Sequence, residues 1–146
     1  MKDSMKVDFA FLCDYADASN KIFASGIGID TILARQVPVR HPQLFVVVQV
    51  RAPSETERKL EIRLKAPGGA TLINQIGTLR FTRQLNGKLG LARFSMGFYS
   101  LELPGFGEYQ FEILVQGEPP IQLAFQLLQV GAASRLAETQ DPSKSA

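Results

Sequence analysis

Gly105-Phe106-Gly107-Glu108-Tyr109-Gln110-Phe111-Glu112-Ile113-Leu114-Val115 carries its structure in its spacing. Tyr109, Phe111, Ile113 and Val115 are apolar or aromatic, and Gln110 and Glu112 between them are polar. A period of two puts alternate side chains on opposite sides, so the stretch reads as a half-buried β-strand. Pro104-Gly105 closes the segment before it, and Gly117-Glu118-Pro119-Pro120 turns the chain after it. A Tyr near the start of a late strand, two residues before an inward core residue, resembles the corner of immunoglobulin-like domains. There the hydroxyl bonds back to backbone a few residues upstream. Phe111 stands where antibody domains have a cysteine.

The same period governs most of the chain. Val7, Phe9, Phe11 and Cys13 alternate as a first strand, and Tyr15–Asn20 is rich in turn formers. A second strand is expected from Lys21 to Leu33, with Gly26 and Gly28 marking a bulge or a close backbone approach. Leu44-Phe45-Val46-Val47-Val48-Gln49-Val50 is apolar on both faces and predicts a central strand. Leu60, Ile62 and Leu64 oppose Glu61, Arg63 and Lys65. Strands are expected over Thr71–Ile76 and Leu79–Leu85, with a break near Gly77. Asn86-Gly87 is the strongest hairpin signal, because both residues tolerate positive φ. Leu89 and Leu91 share one parity, Phe94, Met96 and Phe98 the other, and Leu101 and Leu103 return to the first. Two bulges or two short strands would explain the switches. Ile121 to Val130 forms a last strand. The expected fold is all-β, an immunoglobulin-like sandwich of two antiparallel sheets with eight or nine strands over residues 5–130. Residues 131–146 form a polar tail, with a short helix around Ala132 to Glu138 as the alternative.

The 146 residues hold sixteen Lys and Arg against fourteen Asp and Glu, a net +2. One domain is the default at this length, and about 68% of the unfolded surface is buried on folding. The single cysteine excludes an internal disulfide. No apolar run of about 18 residues predicts a membrane span. The first fifteen residues make a poor signal peptide, so a cytoplasmic protein is expected.

Catalytic chemistry has few supports. His41 is the only histidine and Cys13 the only thiol. Asp14 beside Cys13 would raise its pKa, so a small buried hydrophobe is expected there. Two possible soft ligands cannot build a structural zinc site, which needs about four. Calcium uses oxygen ligands, so Asp14, Asp17 and Asp30 near strand ends are the remaining metal candidates, without EF-hand spacing. Gly26-Ile27-Gly28-Ile29-Asp30-Thr31 lacks the third Gly of a dinucleotide loop. Glu108 and Glu112 share a strand face but read as solvated charge. No cofactor and no catalytic residue are predicted, and the chain is not expected to be an enzyme.

Two binding readings remain. The first strand, the Phe45–Val50 strand and the last strand are apolar on both faces, yet a sandwich buries one face of each sheet. Phe45, Val47 and Leu128 therefore mark an apolar face to be covered by the tail, a second copy or another protein. A protein-interaction or assembly module, with a homodimer or larger assembly, is the leading expectation. The alternative is an anionic-ligand module, for a phospholipid surface or nucleic acid. Residues 51–93 hold nine basic and three acidic residues, a local +6, against −4 elsewhere. Its candidates are Arg80, Arg83, Lys88 and Arg93. Phe81 shares parity with Leu79 and Leu85 and should face the core, which argues against nucleic acid. A membrane partner is not expected either.

The opening Val7-Asp8-Phe9-Ala10-Phe11-Leu12-Cys13-Asp14-Tyr15-Ala16, with Ser19-Asn20-Lys21, Gly26-Ile27-Gly28-Ile29-Asp30-Thr31-Ile32 and the later Gly107-Glu108-Tyr109-Gln110-Phe111, resembles an uncharacterised bacterial family of small all-β domains of unknown function. The resemblance covers roughly residues 5–130. Many members place Gly between the Asn and the Lys of the first turn, and this chain does not, which implies a shorter first hairpin loop. The resemblance implies no activity and no catalytic residues.

Overall fold

A computed structural model describes residues 5–53, 57–82 and 89–131. The described residues form ten strands and no long helix: β1 (Lys6–Cys13), β2 (Tyr15–Asp17), β3 (Phe23–Ser25), β4 (Thr31–Ala34), β5 (Val39–Ala52), β6 (Glu57–Lys65), β7 (Thr71–Arg80), β8 (Gly90–Leu103), β9 (Gly107–Val115) and β10 (Ile121–Gln129). One sheet has the order β1-β5-β8 and a second the order β4-β10-β9-β6-β7. β2 and β3 form a separate small hairpin.

The two large sheets share one core. Leu44, Val46, Val48 and Val50 point into it from β5, and Tyr109, Phe111 and Ile113 meet them from β9. Tyr109 and Phe125 are opposite in register, and their rings stack 5.2 Å apart at 4°. Each such side chain removed from water contributes about 1.5–3 kcal/mol. The Tyr109 hydroxyl donates to the Gly105 carbonyl and accepts from the Gly105 N–H at 3.1 Å. That is the upstream bond expected of a corner tyrosine.

Several sequence expectations change. One pairing is parallel, not antiparallel: β4 runs beside β10, with Leu33 opposite Leu128. The expected Lys21–Leu33 strand is split into β3 and β4, which serve different sheets. The cause is Gly26 and Gly28, both at positive φ. A Cβ on Gly26 would sit 2.0 Å from the Asp14 carboxylate, so a side chain there would have to displace Asp14 as well as hold a positive φ. The Gly28 and Ile29 N–H groups then both donate to the Leu12 carbonyl. β7 runs unbroken through Gly77. β8 is one strand of 14 residues, not two. Its second parity switch occurs at Ser100, whose φ of 51° turns Leu101 and Leu103 back to the core. The Asn86-Gly87 hairpin and the tail helix lie outside the described residues.

Candidate interaction surfaces

The outer face of the β1-β5-β8 sheet is not left bare. Cys13, Ala16, Phe45 and Val47 form a second, smaller core, with Phe11, Ile22 and Ala24 packed on it. The β2–β3 hairpin supplies this cover, because Asp14 N–H donates to Ser25 O and folds Tyr15–Ser25 back over β5. Phe45 and Val47, expected as contact residues, are thus buried at 6% and 0% exposure. The cover expected from the tail or a partner comes from the turn-rich segment after the first strand. Leu128 stays 39% exposed beside Leu33 on the other sheet.

Above the small core the aromatics line up. Phe23, Tyr15, Phe45 and Tyr99 form a chain of ring contacts at 6.4, 5.2 and 5.8 Å, each edge to face. Gly97 seats the Phe45 ring: a Cβ there would come 2.6 Å from Phe45 Cζ. Phe23 and Tyr99, at the two ends, are 64% and 62% exposed, and Tyr15 is 42% exposed. Beside Tyr99 runs a groove of about 560 Å³ between the β7 and β8 edges, lined by Leu72, Ile73, Phe98, Leu101 and Pro104 among others. Sequence reading missed Tyr15, Phe23 and Tyr99. Tyr15 sits in a segment that reads as a turn, and nothing local shows that rings from three elements converge.

The metal candidates do not converge. Asp17 accepts from its own turn, from Ser19 N–H at 3.1 Å and Ser19 Oγ at 3.2 Å. Asp14 packs against Gly26, and the Asp30 carbonyl accepts from Gln126 N–H. Among the described residues no group of three His, Cys, Asp or Glu could hold an ion. Burial pushes the Cys13 thiol up in pKa, and its Sγ donates to Tyr15 O at 3.4 Å. Burial pushes His41 down, against the opposing pull of Asp14. Glu108 and Glu112 line a shallow, open cleft with the Pro67-Gly68-Gly69 turn. No helix among the described residues is long and apolar enough to cross a membrane.

Of the basic candidates, Arg80 and Arg93 line one cleft of about 410 Å³ with Ser19, Asn20 and Thr82. Arg83 and Lys88 lie outside the described residues. Phe81 is buried at 5%, as its parity predicts, with the Arg58 guanidinium over its ring at 5.9 Å.

No curated protein matches the chain. Among solved structures, the C-terminal domain of Wzt is similar at TM-score 0.51 and 11% identity, over 86% of this chain and 74% of that one. A β-glucosidase from Listeria innocua in complex with isofagomine aligns at TM-score 0.48 and 6% identity, over 86% of this chain but 16% of its own length. The β-glucosidase EmGH1 from Erythrobacter marinus aligns at TM-score 0.45 and 13% identity, over 86% and 15%. This chain therefore spans about a sixth of the glucosidases, and their likeness carries no argument. The Wzt likeness is one of fold, an all-β chain of stacked sheets. A family model described as a family of unknown function, DUF6941, matches residues 8–128, well over half the sequence, and the chain belongs to that family.

Proposed function

We propose that this chain is a non-enzymatic protein-interaction module of the cytoplasm, built on an immunoglobulin-like strand arrangement. The strand arrangement is supported by the β1-β5-β8 and β4-β10-β9-β6-β7 orders, the parallel β4–β10 pair and the Tyr109 corner. The contact surface is the aromatic strip Phe23-Tyr15-Tyr99 and the groove beside it, with Phe45 as its buried footing.

The continuous ring ladder carries this reading. Exposed aromatics held in place by a buried ring offer large apolar area at little entropic cost, which is the character of interface hot spots. Isolated exposed apolar residues need no such support. The partner is another protein or a second copy of this chain.

A photocrosslinking residue at Phe23 or at Tyr99, in the intact source cell, tests it. Each position is expected to give one discrete adduct, whose mass separates self-association from a foreign partner. The same group at Gln122, on the opposite sheet, is expected to give none. Adducts of equal intensity from all three positions, or none from Phe23 and Tyr99, would overturn the assignment.

A further inference from the structure

A polar relay lies on the same sheet face. Asp8 Oδ2 accepts from Gln49 Nε2 and from Arg51 Nε, both at 2.7 Å. The Gln49 amide nitrogen is committed to Asp8, so its carbonyl oxygen faces the other way. There it accepts from Arg93 Nε at 2.7 Å, and Arg93 Nη1 donates to Asn20 O at 2.6 Å. Two neutral oxygens thus hold the guanidinium. No carboxylate among the described residues pairs with Arg93, while Asp8 is already matched by Arg51. Gln49 is 8% exposed, a buried polar side chain whose hydrogen bonds fix a cation in place.

Arg93 lines the 410 Å³ cleft where the β2–β3 turn, the end of β7 and the start of β8 meet. Arg80 reaches the same cleft. It also pairs with Glu57 at 3.2 Å, but those side chains are 80% and 60% exposed, and such a pair is weak and exchangeable. The Asp17 carboxylate nearby is engaged by Ser19.

The geometry points to a binding site for one tetrahedral oxyanion, a phosphate or phosphomonoester, gripped by the remaining donors of Arg93 and completed by Arg80. A planar carboxylate is satisfied by a single guanidinium fork. Two guanidiniums arriving from different strands suit a group with three acceptor oxygens. A nucleic-acid backbone would need a longer cationic track with exposed stacking rings. Gln49 and Asp8 are positioning residues here. This inference is independent of the aromatic strip.

Inorganic phosphate, titrated into the ¹⁵N-labelled full chain at constant ionic strength made up with chloride, tests the site. Saturable amide shifts at Asn20, Leu91 and Arg93 are expected. Arg93→Gln is expected to weaken binding about tenfold, the scale of a lost charge-assisted contact. Gln49→Met keeps the charge but releases the guanidinium, and a smaller loss is expected. A dispersed amide spectrum establishes that each variant is folded. Glycerol phosphate binding more tightly than phosphate supports an ester ligand, and weaker binding supports the free anion. Shifts that grow linearly without saturating, acetate bound as tightly as phosphate, or an unchanged affinity in Arg93→Gln would overturn the site.

Discussion

The Tyr109 hydroxyl is the one polar atom in a layer otherwise made of Phe111, Phe125 and aliphatic side chains, and it survives there by closing on Gly105. Tyr109→Phe keeps the ring stack on Phe125 but leaves the Gly105 N–H and carbonyl without that partner. A loss of about 1–2 kcal/mol is expected, read as a lower denaturant midpoint at unchanged slope. Asp8 is a second residue whose value depends on its partners. Its hydrogen bond from Gln49, and then Arg51, hold its pKa below the ordinary 3.8, although partial burial opposes them. A carboxylate with a depressed folded pKa stabilises the fold above its unfolded pKa, and that stabilisation fades as pH falls through the folded value. Wild type should therefore exceed Asp8→Asn in stability at pH 7. The gap should narrow below pH 3.8 and vanish beneath the folded pKa. Denaturant melts over a pH series read both numbers. A constant gap across pH would assign the effect of Asp8 to shape and not to charge.

At the scale of elements, period two was a reliable guide wherever an element has one wet face. β6, β9 and β10 follow it almost residue by residue. It was less informative where both faces are dry. The β5 sequence predicts a central strand but cannot tell which element covers its second face. Its cover, the β2–β3 hairpin, reads locally as turn-forming because its strands are three residues each, too short for a period to register. β8 shows another limit. The parity switches were legible in Phe94, Phe98 and Leu101, yet a single residue at positive φ, Ser100, performs the second one within an unbroken strand. Side-chain order reveals that a switch occurs, not the backbone device that makes it. The same holds for β4. Its parallel pairing with β10 depends on the detour at Gly26 and Gly28, and the glycines signalled a close approach without naming Asp14 as the neighbour.

At the scale of the whole molecule, the candidate surfaces were the least legible part. The ladder joins Phe23, Tyr15, Phe45 and Tyr99, up to 84 positions apart in the numbering, and the relay joins Asp8, Gln49 and Arg93. Such sets exist only once the sheet register is fixed. The ladder rests on the hairpin and the relay ends on it, at Asn20 O; the hairpin is a cover laid on a sandwich complete without it, for its residues pack with the small core, not the large one. This makes a specific expectation. Tyr15 and Ser25 are opposite in register, so replacing residues 16–24 by Asn-Gly closes the strand ends with a two-residue turn. The shortened chain should still unfold in one cooperative transition, because Leu44, Val46, Tyr109 and Phe111 keep their packing. It should also expose Phe45 and Val47, bind a hydrophobic dye more strongly than the full chain does, and associate as concentration rises. Cys13, buried and with its thiolate disfavoured, should resist alkylation in the full chain and react in the folded variant. Loss of the cooperative transition would show instead that the two cores are one, and that the hairpin belongs to the fold's foundation.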